Sequence, residues 1–298
     1  NLINLLKKLK TYRTIMIKEW KSRDKFNPFN SYKILTHIPY WKQIKDGVIP
    51  VPVSVTVDLA NVCNLNCLGC NASKLLNKNK KLMNDKWVNE LPKFLKEWGV
   101  RTCTIAGGGE PTMHKDVGLF INRCYEVGLN CSMITNGVKL DNVEMGSLAK
   151  LDWLGVSVDA GTQETYKKVR RPHLDGTFNR VIRNITSVVD NAGLEVTYKF
   201  LINKYNIGDI VEAVKIAKNS GCTQIHIRPI GCTWWEEAKK IFTNTEVEQA
   251  LNEVEKARDT YEDGDFKVFG ITHKFGENWK ASNPFDKCWA TFMFMLIE

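Results

Sequence analysis

Cys63-Asn-Leu-Asn-Cys67-Leu-Gly-Cys70 puts three thiols within one short stretch of chain. Soft sulfur ligands at this spacing suit an iron–sulfur cluster or zinc. A cubane cluster has four irons, so three thiolates leave one iron open for substrate chemistry. The alternatives are three unrelated buried cysteines, or a zinc site completed by a distant histidine. The chain holds nine cysteines in all and shows no export signal, so a disulfide framework is not expected.

Other chemistry-bearing residues lie further along. Ala106-Gly107-Gly108-Gly109-Glu110-Pro111 combines glycines, which let backbone approach a ligand closely, with a carboxylate suited to an ammonium group. No Lys-Ser/Thr follows, which argues against a phosphate loop. Thr135-Asn136-Gly137 reads by itself as an ordinary turn. Ser157-Val158-Asp159 closes an apolar run, where it could also cap the helix starting near Thr162.

The elements that must position these residues follow a regular pattern from residue 51 onward. Apolar, β-branched runs predict strands at Val53–Leu59, Thr102–Ala106, Cys131–Thr135, Leu154–Val158, Val196–Ile202 and Gln224–Arg228. Helical periodicity predicts Asp85–Trp98, Val117–Val127, Thr177–Ala192 and Ile207–Asn219 between them. Gly99, Gly128, Gly193 and Gly221 follow as terminators. Such alternation implies an α/β fold with a parallel sheet, either doubly wound or a partial barrel. In both, ligands gather at the carboxyl ends of the strands. The cysteine stretch follows the first strand, Gly107–Pro111 the second and Asn136 the third. Ser157–Asp159 ends the fourth, so all the unusual polar sequence falls on one rim.

The C-x3-C-x2-C spacing resembles that of the radical S-adenosylmethionine (SAM) superfamily, over about residues 51–235. The resemblance implies a partial (β/α)6 barrel with Cys63, Cys67 and Cys70 holding a 4Fe–4S cluster. Its open iron would take the amino and carboxylate groups of SAM. Cleavage of SAM would then give a 5′-deoxyadenosyl radical that takes hydrogen from a substrate. Gly107, Gly108, Gly109, Glu110 and Pro111 match a GGEP motif that holds the methionine amino group. Asn136 matches a T-N-G strand ending. Ser157 would bind the methionine carboxylate or ribose, with Asp159 in support, and Asn203 would lie near the ribose. Arg170 would meet the SAM carboxylate or be one more surface cation. One departure is Gly69, because many members carry an aromatic before the third cysteine to pack on adenine. Adenine here would need another surface, such as Ile225–Ile230.

Cys103, Cys124, Cys131 and Cys222 read as small buried hydrophobes. Cys232, Trp234 and Trp235 could line a substrate pocket or fill a core corner, and His114 reads as helix-entry structure. Residues 1–50 read as a helical N-terminal extension and connector, 51–235 as the core, and 236–298 as a helix and short C-terminal segment. The chain opens on Asn1 rather than Met, as a trimmed or partial sequence would. Cys288-Trp289 and the apolar run Ala290–Ile297 resemble the opening of a SPASM or twitch extension. That implies an auxiliary Fe–S cluster, with Cys288 as a first ligand in a longer protein.

The formal charge of +9 allows nucleic acid, an anionic membrane or an acidic substrate. The lysines are scattered, and the densest group is Lys74 to Lys81. No run of about 18 apolar residues occurs. These features point to a cytoplasmic protein without membrane or nucleic-acid partners. By resemblance, the partners are SAM, a peptide or protein substrate and an electron donor such as flavodoxin or ferredoxin. An RNA- or sugar-modifying radical SAM enzyme is the alternative. A non-catalytic zinc or Fe–S protein is the alternative of a different class.

Overall fold

A computed structural model describes residues 38–231 except 74, 77 and 79, then 242–272, 275 and 294–297. Eight strands form one sheet. They are β1 (Ser54–Val57), β2 (Thr102–Ile105), β3 (Asn130–Thr135), β4 (Trp153–Ser157), β5 (Val196–Ile202), β6 (Gln224–Pro229), β7 (Lys267–Gly270) and β8 (Phe294–Ile297). Their spatial order is β7-β6-β5-β4-β3-β2-β1-β8. Every pairing is parallel, as a chain of strand–helix units requires.

All six predicted strands form. Two more extend the sheet beyond them, so it continues past residue 235. The apolar run expected near Ala290–Ile297 forms a strand over Phe294–Ile297 and pairs with β1 in register, Val57 opposite Ile297. Cys288, Cys232, Trp234, Trp235 and residues 1–37 of the expected extension lie outside the described residues.

The helices that cover the sheet are amphipathic. In α1 (Asp85–Trp98), Asn84 caps the N-terminus by accepting a bond from the Trp87 N–H, and Gly99 ends the helix in the left-handed region at φ 102°. The other three predicted terminators also take positive φ. In α2 (Val117–Glu126), Val117, Phe120, Ile121 and Cys124 face the core. The shorter α3 (Gln163–Arg170) starts on a Thr162 cap and brings Tyr166, Val169 and Arg170 inward. In α4 (Thr177–Ala192), Phe178, Val181, Ile185 and Val188 face the core. Two further helices, α5 (Ile210–Asn219) and α6 (Asn244–Tyr261), pack on each other beyond β5.

Side chains alternate across each strand. Val196, Tyr198, Phe200 and Ile202 of β5 are wholly buried in the core shared with the helices. Thr197, Lys199 and Leu201 take the opposite face. Cys103, Cys124, Cys131 and Cys222 are buried in the core, as their apolar settings predicted. Among the described residues no helix is long and apolar enough to cross a membrane.

Candidate functional site

The cysteine stretch leaves β1 and is fixed at both ends. Upstream, the Asp58 carboxylate accepts bonds from the Gly108 N–H at 2.7 Å and the Ala60 N–H at 3.2 Å. Downstream, the Leu68 N–H donates to the Val169 carbonyl at 2.8 Å, and Leu65 forms a bridge with Pro172. The loop is therefore clamped between the β2 turn and the end of α3. Cys63, Cys67 and Cys70 are all half-buried on it.

The glycines of Gly107–Gly109 serve this clamp. A Cβ on Gly107 would stand 2.1 Å from Asp58 Cγ, and one on Gly109 would stand 1.9 Å from the Ala60 carbonyl oxygen. At Gly108 the nearest atom would be 3.4 Å away, which is ordinary contact. Gly107 and Gly109 are thus required by the cysteine loop crossing over them, whereas Gly107 and Gly108 themselves are exposed.

Glu110 is 2% exposed. Its Oε1 accepts bonds from the Thr112 N–H (3.0 Å), the Thr112 hydroxyl (2.7 Å) and the Thr135 hydroxyl (2.5 Å). Its Oε2 accepts from the Asn136 N–H at 2.7 Å. The expected ammonium anchor is thus engaged in joining the ends of β2 and β3. Pro111 opens the buried turn that follows. Asn136 reaches onward, donating from Nδ2 to Asn64 Oδ1 at 2.8 Å, with Cys63 Sγ 3.9 Å away. His114 behaves as helix-entry structure, with Nε2 bonded to the Met83 carbonyl at 2.8 Å.

The other side of the loop faces a buried ion pair. Arg170 Nη1 lies 2.8 Å from Asp159 Oδ2, and both side chains are at most 10% exposed. This overturns the surface-cation reading of Arg170. Asp159 sits in the left-handed region at φ 59°. Its Oδ1 accepts from the Leu201 N–H at 2.8 Å, and its carbonyl accepts from Asn206 Nδ2 at 2.8 Å. Arg170 Nε has no acceptor among the described residues. Burial works against the charge of Arg170, but Cys67 and Asp159 outweigh it and hold the guanidinium protonated. Burial pushes the Cys67 thiol up to about 11, with Arg170 opposing. It also raises Cys63, against a bond from the Leu65 backbone.

Ser157 is half-buried at the end of β4, one turn of chain before Asp159. Asn203 is buried, but its Oδ1 accepts from the Tyr205 N–H at 2.9 Å and its N–H donates to Asn206 Oδ1 at 2.7 Å. Its side chain thus closes the turn after β5. Gly69 takes φ 70°, and a Cβ there would stand 2.6 Å from Ile230 Cδ1. Ile230 occupies the space that a side chain at position 69 would enter. Of the rest of Ile225–Ile230, Ile225 and Ile227 are buried in the core.

Asn64, Thr112 and Asn206 belong to the same network and carried no motif signal. Sequence offered one usable hint, because polar residues ending buried strands must find partners. No three His, Cys, Asp or Glu side chains among the described residues converge as ligands of a single metal ion. A cubane places each thiolate on a different iron.

Known proteins share this architecture. The sequence profile of the radical SAM superfamily matches residues 57–198. A probable GTP 3′,8-cyclase of Saccharolobus islandicus is 29% identical over 180 residues, covering 59% of this chain and 57% of that protein. One from Methanocaldococcus jannaschii is 29% identical over 170 residues, covering 56% of each. The chain therefore spans little more than half the length of these curated relatives. Among solved structures, Streptococcus suis SuiB bound to the precursor peptide SuiA aligns at TM-score 0.64 and 18% identity. That alignment covers 98% of this chain and 68% of SuiB. The structure of anSMEcpe with bound AdoMet aligns at TM-score 0.57 and 20% identity, covering 75% of this chain and 65% of that one. With the cysteine spacing, the parallel sheet and the profile match in agreement, the chain carries a radical SAM domain over residues 57–198.

Proposed function

We propose that Cys63, Cys67 and Cys70 hold a 4Fe–4S cluster at which SAM is reductively cleaved. The substrate would be a peptide or protein. The observation that carries this reading is the placement of three half-buried thiols on one clamped loop beside the buried Arg170 cation. These residues fit the group the family implies. Three thiolates on a cluster are a concentrated negative charge, and the Arg170 guanidinium lies beside them with its Nε free of acceptors among the described residues.

When bound, the cluster and SAM supply a carbon radical able to remove hydrogen from the substrate. The chain's own residues do the positioning. Asp58 and the Gly107–Gly109 turn hold the cysteine loop in place. Glu110 ties Asn136 against Cys63, which keeps the Asn64 side of the loop from swinging out. Gly107, Gly108, Gly109 and Pro111 would offer backbone to the methionine amino group, Ser157 would meet its carboxylate or ribose, and Ile230 would floor the adenine. Residues 51–235 would form the core. Cys288 would be a first ligand of an auxiliary cluster in the segment 236–298.

A likeness to SuiB with its precursor peptide supports the peptide substrate. A second reading, a purine nucleotide substrate, is favoured by the relatives called probable GTP 3′,8-cyclase. Anaerobic reconstitution with iron and sulfide, followed by SAM and dithionite, tests the first claim through formation of 5′-deoxyadenosine. A colourless zinc protein that leaves SAM intact would refute it. Cys67→Ala should lose both colour and cleavage. A flavodoxin or ferredoxin should replace dithionite. Iron counting on a longer chain tests Cys288, since about four irons per chain would exclude an auxiliary cluster.

A further inference from the structure

The sheet face opposite the helices carries charge that the reading above does not use. Strands of a fully covered parallel sheet read as continuous apolar runs. Here only the helix-facing positions do. On the other face, Ser157, Lys199 and His226 stand side by side in register across β4, β5 and β6, with Arg228 one step nearer the rim, beside Leu201.

This face is built, not left over. Trp153 Nε1–H donates to Thr197 Oγ1 at 2.6 Å, and Gln224 Nε2 donates to the same oxygen at 2.7 Å. Lys199 Nζ lies 5.3 Å from the Trp153 ring centre. Gly155 makes room for that stack, since a Cβ there would stand 2.9 Å from Trp153 Cη2 and 3.0 Å from Lys199 Cδ. His226 meets Phe269 edge-on at 5.3 Å, and Phe269 is 42% exposed.

Lys199 and Arg228 repel each other across this surface. Burial, with Arg228 adding to it, lowers the Lys199 ammonium to about 8. Burial, Lys199 and Arg228 together keep the His226 ring neutral down to about 4. Among the described residues, neither Lys199 nor Arg228 forms an ion pair with a carboxylate. Two like charges held close on a partly buried face are stabilised by a negative ligand between them. Arg228 offers a planar fork and Lys199 a point charge, a combination suited to phosphate or carboxylate oxygens.

We propose that Lys199 and Arg228 form the subsite for an anionic group of the substrate, a phosphate or a carboxylate, on the sheet face opposite the helices, next to Ser157. The proposal rests on the reading that the rim at Ser157 holds SAM, since that places the bound substrate within reach of the radical. Trp153 and Phe269 give the subsite flat apolar flanks.

Acylation footprinting tests it without SAM or an electron donor. The cluster-reconstituted chain is treated with limiting acetic anhydride at pH 8, alone and with inorganic tripolyphosphate or citrate, and peptides are read by mass spectrometry. At least one anion should slow acylation of Lys199 tenfold or more while leaving Lys215, an exposed helix lysine, unchanged. Protection by tripolyphosphate alone assigns a phosphate, protection by citrate alone a carboxylate, and protection by both supports the shared subsite. Arg228→Gln should remove the protection with no change in circular dichroism. In calorimetry, Lys199→Gln should weaken binding of the protecting anion at least tenfold. Equal acylation of Lys199 and Lys215 with both anions, or protection that survives Arg228→Gln, would overturn the proposal. Failure to form 5′-deoxyadenosine in the same preparation would instead count against the SAM reading alone.

Discussion

Arg170 and Asp159 form an ion pair of 2.8 Å behind the cysteine loop, and neither side chain is more than 10% exposed. The pair joins the end of α3 to the end of β4. Because Asp159 also accepts the Leu201 N–H, one carboxylate connects α3, β4 and β5 beneath Cys67. Removing one partner would leave the other charge buried and unpaired.

Arg170→Ala should therefore destabilise the chain by about 3–5 kcal/mol, while Asp159→Asn with Arg170→Met should recover much of that loss. Asn keeps the left-handed backbone at 159 and an oxygen for the Leu201 N–H. Urea unfolding of the single and double variants measures both. If the double variant is as stable as wild type yet takes up iron poorly, the cation acts on the cluster rather than on folding. Equal stability of wild type and Arg170→Ala would contradict a buried pair.

Glu110 yields a separate prediction. Four donors converge on its carboxylate, and Glu110→Gln turns one oxygen into an NH2 group facing a donor. Unfolding should become easier by about 2 kcal/mol, since a buried donor loses its acceptor. The effect should appear in cluster-free protein, measured by denaturant titration. A residue whose main task was to hold an ammonium group would leave the stability of that apo form unchanged.

Much of this could be read from the residues in order. Apolar β-branched runs gave the strands because parallel strands bury one face against helices, and the rim rule then gathered Cys63–Cys70, Gly107–Pro111, Asn136 and Ser157. The Arg170–Asp159 pair was hidden because it depends on a left-handed turn at Asp159 that brings a helix end back over a strand end. The edge strand Lys267–Gly270 was hidden because four residues, with Lys267 and Phe269 exposed, carry too little pattern. The polar sheet face was hidden for a third reason. Lys199 within Val196–Ile202 reads as an interruption until the register puts it beside His226 and Ser157.

His226 makes stability depend on pH. Its folded pKa of about 4 lies below the ordinary 6.5, because of burial and the charges of Lys199 and Arg228. The unfolded state therefore binds the proton first. The stability linked to neutral His226 is full above pH 6.5 and is lost as pH falls toward 4, on the order of 3 kcal/mol. Replacing His226 with Gln should flatten that part of the profile. Urea midpoints at pH 7 and pH 4.5 for both proteins give the comparison, and an unchanged slope in the variant would rule out His226 as the cause.

Gly69 and Ile230 should behave as a size-matched pair. A side chain at 69 pays for a left-handed backbone, about 1–2 kcal/mol, and meets Ile230 Cδ1 at once. Gly69→Phe alone should therefore displace the segment holding Cys67 and Cys70 and reduce iron uptake. Ile230→Ala opens the space that the ring needs. In Gly69→Phe with Ile230→Ala, iron content and SAM affinity should return most of the way, short of wild type by the backbone strain. Iron assay and equilibrium dialysis with SAM read the two quantities separately. If Ile230→Ala gives no rescue, the contact between these residues is not what excludes an aromatic from position 69. If Ile230→Ala alone weakens SAM binding while iron content holds, Ile230 is the surface on which adenine rests.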